Sequence, residues 1–256
     1  MQENIFIWSD LSTFNPPRAR KDYAALFGWS FYGKRSYKFA LVGDVPVAAI
    51  FSMPKQFVEL GMPSFWMSYV KVDNLKASVE KARSHDGVVV EIEPRLFNDN
   101  ASIALIRDPS GAGFTLYEGA EFPRSCVRQT AGELVTRYHH LPDISLIEPF
   151  YHDMFSWSFH KIGDKPWPAY DIRHSDRSSV GFAEEVPEEI RGKYRYWIPC
   201  FTVASRTKFL TALRRRGGEA FSDLPGERTL VADRQGAHFM IRPQRPKACI
   251  KHDFSN

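Results

Sequence analysis

The sequence predicts an α+β protein made of four βαβββ modules, paired into two domains of similar size. The first observation is an internal repeat, in which three segments of the first half recur in order at offsets of 128, 131 and 125 residues. The second observation is that each half shows two successive series of one strand, one amphipathic helix and three short strands. The matched segments are 22–31 with 150–159, 65–72 with 196–203, and 108–117 with 233–242.

The first module begins with an alternating, strand-like segment at 4–10, followed by the helix-start signal Asn15-Pro16-Pro17. Proline is tolerated in the first turn of a helix, and the apolar spacing of 18–27 is that of an amphipathic helix. Gly43-Asp44 is a tight-turn candidate between the last two of three short strands. These predicted strands cover 30–33, 37–42 and 45–52.

The second module repeats this order from Phe65 onward. Asp73 or Asn74 is the predicted helix cap, because a short side-chain acceptor satisfies free amide groups of the first turn. The second copy starts at Glu133 and has predicted helices at 146–155 and 206–215. The remaining predicted elements of the first copy are a strand at 65–72, a helix at 75–84 and strands near 88–93, 102–106 and 113–117.

Breaks in the periodicity divide the chain into parts. The length of 256 residues suits two domains of ordinary size. Two segments, 53–64 and 184–194, are predicted to join the modules within each domain. The predicted parts are domain 1 at 1–120, a linker at 121–132, domain 2 at 133–243 and a basic tail at 244–256.

Composition indicates a soluble globular protein of the cytoplasm. The chain is 43% hydrophobic and 25% charged, and its 34 basic and 30 acidic residues give a net charge of +4. This mild surplus is typical of a solvated surface, so neither nucleic-acid nor membrane binding is predicted. The cysteines, Cys126, Cys200 and Cys249, form no paired motif, which favours a reducing compartment. We find neither a secretory pattern at the N-terminus nor an apolar run of about 18 residues.

Short motifs accompany the module order, namely Tyr23, Leu26-Phe27-Gly28-Trp29, Val70–Asp73, Asp108-Pro109-Ser110-Gly111 and Phe114. Together they resemble the vicinal-oxygen-chelate superfamily, which contains glyoxalase I, extradiol dioxygenases, fosfomycin-resistance enzymes and bleomycin-resistance proteins. The tandem arrangement is similar to two-domain glyoxalase-like proteins. The resemblance implies curved sheets that form cups. In metal-dependent members, His, Glu or Gln at four positions of the cup holds one divalent ion, which acts as a Lewis acid.

The positions that would hold this ion carry unsuitable side chains in both copies. None offers a ligand that a divalent ion requires. An error of one residue in the alignment with the superfamily pattern would not restore the site, because side chains alternate between the two faces of a strand. Since nucleotide-binding loops are also absent, we predict no metal and no other cofactor. The positions are Trp8, Ala49 or Ile50, Met67 and Thr115 in copy one, and Thr136, Phe182 or Ala183, Ile198 and Met240 in copy two.

An alignment error of two residues keeps the side chains on the same strand face, but the residues found there still form no recognisable metal-binding triad. Side chains at both sets of positions are predicted to line the cups. The aromatic ones, with Trp197 as a further candidate, suit planar ligands through stacking but are equally ordinary core residues. The predicted pocket comprises Trp8, Asp10, Met67, Tyr69, Thr115 and Tyr117 in copy one, and Thr136, Tyr138, Ile198, Cys200, Met240 and Arg242 in copy two.

Three features leave alternatives open. Five of the eight histidines lie between His139 and His174 and could converge on one site, although adjacent histidines on a strand normally point to opposite faces. Cys200 could be a nucleophile if a neighbouring base lowered its pKa, or a small apolar filler. Arg242 could face the second cup or lie exposed at the end of its strand.

These observations favour a small-molecule binding protein of the glyoxalase and bleomycin-resistance type that works without the family metal. The alternative is a lyase, isomerase or oxygenase-like enzyme of the same superfamily that uses other residues. A third hypothesis is a scaffold whose cups are filled by their own side chains. Four modules in one chain can complete both cups internally, so a monomer suffices and a homodimer stays open.

Overall fold

The computed structural model describes residues 3–33, 37–119, 130–192 and 195–244, and within them the two halves of the chain form two eight-stranded sheets. The first half begins with the βαβββ series predicted from its sequence. Its elements are β1 Phe6–Thr13, α1 Pro16–Phe27, β2 Ser30–Tyr32, β3 Lys38–Val42, β4 Val45–Ser52, α2 Lys55–Glu59, β5 Phe65–Lys71, α3 Leu75–Arg83, β6 Val89–Asn98, β7 Ala101–Arg107 and β8 Gly113–Gly119.

The second half repeats this series with one additional 3₁₀ turn, Ile144–Leu146. Residues 121–129 of the predicted linker and 245–256 of the predicted tail lie outside the described residues. The elements are β9 Leu134–Leu141, α4 Glu148–Phe155, β10 Ser158–Gly163, β11 Ala169–Arg173, β12 Ser179–Glu185, α5 Glu188–Arg191, β13 Ile198–Val203, α6 Arg206–Arg215, β14 Glu219–Leu224, β15 Arg228–Ala232 and β16 His238–Pro243.

In each sheet, two four-stranded modules meet at a central antiparallel pair, β1 with β5 and β9 with β13. The strand order is β2-β3-β4-β1-β5-β8-β7-β6 in the first sheet and β10-β11-β12-β9-β13-β16-β15-β14 in the second. Each central strand also has a parallel neighbour from its own module, for example β4 beside β1 and β8 beside β5. This arrangement confirms the predicted α+β fold of four βαβββ modules.

Capping side chains place the helices close to their predicted positions. The Asn15 side chain accepts a hydrogen bond from the Arg18 amide, so α1 starts two residues earlier than predicted. In α3 the capping acceptor is Asn74 and not Asp73, and it bonds to the Ala77 amide. α6 begins and ends at the predicted residues. Local capping chemistry therefore sets these boundaries.

Other segments differ from the prediction. The joining segments 53–64 and 184–194 each contain a short helix, α2 and α5. A helix this short has too few apolar positions to show a period; in α2 the buried residue is Phe57. Glu184 belongs to β12, and β6 continues to Asn98. Because β6 is an edge strand with many exposed residues, its alternation is weak.

Helices α1 and α4 end at equivalent positions of the repeat in the left-handed conformation, at Gly28 (φ 72°) and Ser156 (φ 57°). A residue with a Cβ atom is disfavoured there by about 1 kcal/mol. We expect Ser156→Gly to raise the free energy of unfolding by up to about 1 kcal/mol and Gly28→Ser to lower it similarly. Urea unfolding measures both variants, and changes of the same sign would contradict the prediction.

The helix-bearing faces of the two sheets pack against each other, with α1 against α6 and α3 against α4. Tyr23 Oη donates a hydrogen bond to Asp233 Oδ2 (3.2 Å), and Tyr151 Oη donates to Asp108 Oδ2 (2.9 Å). These two pairs are equivalent in the repeat, so the interface has approximate two-fold symmetry. Among the described residues, no helix has both the length and the apolar character needed to cross a membrane.

His139 breaks this symmetry. Its Nε2 lies 2.6 Å from Asp108 Oδ2, whereas the equivalent position in copy one is Leu11. Burial favours the neutral form of Asp108, but its interactions with His139, with the Ser110 side chain and with the Ala112 amide together outweigh burial and lower the pKa of Asp108. Burial raises the pKa of Asp233 to about 6. The opposite face of each sheet is the predicted cup face.

Candidate functional site

The cup face of the first sheet carries the predicted pocket residues of copy one. Trp8 and Asp10 alternate along β1, and Asp10 is the direct cross-strand partner of Met67 on β5. Two residues further along β5, Tyr69 is paired with Thr115 on β8. All five side chains are buried. The strand register therefore brings these predicted residues together.

Asp10 is the centre of a polar cluster in this cup. Tyr69 Oη and Tyr37 Oη both donate hydrogen bonds to Asp10 Oδ2, at 2.8 and 2.9 Å, and Trp8 Nε1 donates to Tyr37 Oη at 3.1 Å. The other oxygen, Oδ1, is buried and has no hydrogen-bond partner among the described residues. Burial raises the pKa of Asp10 to about 7, although the two tyrosine hydrogen bonds lower it.

Aromatic rings enclose this cluster. The Phe97 ring lies 5.8 Å from Tyr37, 6.3 Å from Tyr69 and 6.4 Å from Tyr117, and the Tyr69 and Tyr117 rings are 6.5 Å apart. Sequence reasoning missed Tyr37 and Phe97. The strand containing Phe97 was predicted to end at 93, and Tyr37 was recognised only as the start of a strand. The middle of the first cup is thus filled by its own side chains.

A cavity of about 390 Å³ lies at one end of the first cup. Met67, the cross-strand partner of Asp10, is part of its wall, so the cavity adjoins the Asp10 cluster. Most of the lining is apolar, with a small number of polar groups at its edge. The lining residues are Phe57, Met62, Pro63, Phe65, Met67, Glu91, Leu105, Arg107, Ser110, Gly111, Gly113, Arg195 and Tyr196.

The second copy supplies part of this cavity through Arg195 and Tyr196. The Gly113 amide donates to Arg195 O (3.3 Å), and Arg195 Nη1 donates to Ser110 O (2.6 Å). These contacts attach the segment before β13 to the loop before β8. The cavity therefore lies at the junction of the two copies. The sequence analysis, which treated the two domains separately, did not predict a cavity at this position.

The second cup also brings its predicted residues together. Ile198 is paired with Tyr138, and Cys200 is paired with Thr136 on one side and Met240 on the other. Arg242 lies two residues beyond Met240 on β16, so strand alternation places it on the same face of the sheet. A cavity of about 150 Å³ includes Ile198 and Leu230 of this cup in its lining.

An ion pair fills the interior of the second cup. Arg228 donates to both carboxylate oxygens of Glu184, at 2.6 and 2.9 Å, and its guanidinium lies 4.1 Å above the Tyr138 ring. His140 Nε2 is 3.2 Å from the same carboxylate. Burial favours protonation of Glu184, but hydrogen bonds from His140 and Arg228 lower its pKa to about 2. Sequence reasoning missed Glu184 and Arg228, because Glu184 was placed in a joining segment.

Comparison with known proteins agrees with this architecture, although no family model matches the chain. Proteins named "Putative glyoxylase CFP32" from Mycobacterium tuberculosis and Mycobacterium bovis are each 27% identical over 255 residues, covering 94% of this chain and 95% of theirs. A Mn(II)-bound glyoxalase from Novosphingobium aromaticivorans superposes with a TM-score of 0.58 at 11% identity, covering 95% of this chain and 83% of that structure. The 2,3-dioxygenase LapB from Pseudomonas sp. KL28 gives 0.60 at 11% identity, with 95% and 93% covered.

The chain therefore has the fold of these glyoxalase and dioxygenase structures, and its two halves repeat that fold in tandem. Its cups do not carry a donor set that fits the divalent ion of the metal-dependent proteins that its sequence resembles. In the first cup, Asp10 stands among phenols and apolar groups, and in the second the guanidinium of Arg228 already neutralises Glu184 beside His140. No cluster of three His, Cys, Asp or Glu side chains occurs in the described part of the chain. We therefore assign no step to a metal ion.

Other candidate residues of the sequence analysis lie apart from one another. His139 faces the interface between the sheets whereas His140 faces the second cup, as their alternation on β9 requires, and the five histidines do not converge. Trp197 is wrong as a pocket candidate, since its Nε1 donates to Tyr151 Oη on the helix side (2.8 Å). Burial raises the pKa of Cys200 to about 12, which agrees with the small filler and not the nucleophile.

Proposed function

We propose that this protein binds a small, mainly apolar molecule in the 390 Å³ cavity of the first domain, without using the metal of its superfamily. The observation that carries the proposal is the cavity itself. Its volume lies within the range of roughly 300–1,000 Å³ of small-molecule sites, and its lining combines apolar walls with a few polar groups, as such sites do. The equivalent cavity in the second domain, about 150 Å³, is smaller than this range.

The polar residues that line the cavity include Glu91, Arg107 and Arg195. Arg107 Nε lies 2.5 Å from Glu91 Oε1, so its charge is compensated within the site. Arg195 is exposed, and Tyr196 borders the cavities of both domains. We infer that the first domain is the binding domain and that the second domain completes its wall.

Filling the cavity should abolish binding. Leu105 lines the large cavity and Leu230, its equivalent in the repeat, lines the small one, which makes Leu230→Trp a matched control for Leu105→Trp. In a thermal-shift screen of apolar and aromatic metabolites, a ligand at 100 times its Kd should stabilise the wild type by about 2.7 kcal/mol, or roughly 5–10 °C. We expect Leu105→Trp to lose this shift and Leu230→Trp to keep it.

Two outcomes would contradict the proposed function. One is a screen in which no compound stabilises the wild type, and the other is a set of ligands whose shifts are equally retained or equally lost in both tryptophan variants. Overpacking itself costs about 1–3 kcal/mol. Each shift is therefore measured against the ligand-free melting temperature of the same variant, with Leu105→Phe as a milder filling substitution.

A further inference from the structure

We propose that Asp10 is the polar anchor of the ligand in the first domain, and that this ligand carries a protonated nitrogen, as an apolar or aromatic amine or amidine does. This inference rests on the proposed function. It adds a chemical class of ligand and a residue that recognises it.

The hydrogen bonding of Asp10 leaves one oxygen for a partner. Both phenol donors, Tyr37 and Tyr69, bond to Oδ2, and buried Oδ1 has no partner among the described residues. A buried polar atom without a hydrogen bond costs roughly 1–3 kcal/mol, and more when it is charged. A ligand N–H group directed at Oδ1 would remove this cost.

Comparison with three other buried carboxylates favours a cationic donor. Asp108 is paired with His139, and Glu184 is paired with Arg228. Asp233, which has no such pair in the described residues, accepts hydrogen bonds from two amides of its own loop. Asp10 has neither a cationic partner nor an amide donor within the described residues. Its negative charge is thus left for a bound cation to compensate.

Asp10 is connected to the ligand cavity through its cross-strand partner Met67. Side chains that are directly opposite on antiparallel strands have Cβ atoms about 5 Å apart, and Met67, opposite Asp10, lines the cavity. Methionine is flexible enough to admit an adjacent group. Tyr69 donates a hydrogen bond to this carboxyl group, and its ring lies 6.5 Å from the ring of Tyr117, so aromatic rings of the kind that attract cations stand near Asp10. A ligand body in the cavity can therefore direct its nitrogen toward Oδ1.

Benzylamine and benzyl alcohol test the inference, because they have the same ring and differ in the charged nitrogen. Calorimetric titration at about pH 8, where benzylamine remains protonated and the Asp10 carboxyl is ionised, measures both Kd values. We expect the wild type to bind benzylamine at least about tenfold more tightly than benzyl alcohol, since hydrogen bonds to charged groups are the stronger ones. Asp10→Asn should bind both compounds equally, and Leu105→Trp should bind neither.

Benzyl alcohol binding by Asp10→Asn shows that this variant is folded with an intact cavity. Equal affinity of the wild type for the two compounds, or an amine preference that survives in Asp10→Asn, would overturn the inference and leave the proposed function standing. Failure of both compounds to bind the wild type also overturns it. In that case the metabolite screen with Leu105→Trp decides the proposed function independently.

Discussion

Glu184→Gln is expected to lower the free energy of unfolding by about 3–5 kcal/mol, because it leaves the Arg228 guanidinium buried without a counter-charge. The side chains of both residues are almost inaccessible to solvent, at 4% and 6% exposure. The cost comes from desolvation of the remaining charge and exceeds the value of an ordinary hydrogen bond. Urea unfolding followed by tryptophan fluorescence measures this loss.

The double variant Glu184→Leu with Arg228→Met is the control. A buried ion pair replaced by apolar side chains of similar volume is often neutral or stabilising, so the double variant should regain most of the lost stability. Arg206, paired with Asp223 on the surface, provides a comparison, and Asp223→Asn should cost less than about 1 kcal/mol. A Glu184→Gln variant as stable as the wild type would refute the assignment of a buried ion pair.

As the pH rises from about 4 to about 7, the free energy of unfolding of Asp10→Asn should increase relative to that of the wild type. The pKa of Asp10 is raised to about 7 in the folded protein, from an ordinary value of 3.8. Within this window the folded state holds a proton that the unfolded state has lost, so rising pH destabilises the wild type by about 1.4 kcal/mol per pH unit at this group. The difference between the variants should therefore change by ~3–4 kcal/mol.

The measurement is chemical unfolding of both proteins at a series of pH values, and the difference between them isolates Asp10 from other titrating groups. Ser12→Ala, on the same face of β1, is a control without a titratable group and should follow the pH profile of the wild type. A difference between Asp10→Asn and the wild type that stays constant from pH 4 to pH 8 would show that Asp10 titrates at its ordinary pKa.

The sequence predicted most of the first cup because strand alternation and register are local properties. Once β1 and β5 were recognised, their period of two placed Trp8, Asp10, Met67 and Tyr69 on one face. Tyr37 and Phe97 were not predicted as neighbours of Asp10. They come from a strand start and an edge strand whose positions depend on pairing between distant segments.

In the second cup, too, the sequence predicted the faces of the strands but not the contacts between distant segments. Alternation separated His139 from His140, but no pattern in the sequence places Arg228 beside Glu184, 44 positions away. The guanidinium that neutralises this carboxylate comes from β15, which lies between β14 and β16 and takes its register from them. Sequence reasoning could therefore predict that the ligand set of the resembled superfamily is missing, without identifying which side chains occupy the space.

The sequence by itself determined the duplication, the four βαβββ modules and the residue types on the central strands, because these follow from periodicity and repetition along the chain. Only the tertiary structure decided which cup has room for a ligand. Side chains from separate strands fill the second cup and the middle of the first, and Arg195 and Tyr196 of the second copy help to close the cavity of the first. Free volume depends on how all surrounding side chains pack, which no local pattern specifies.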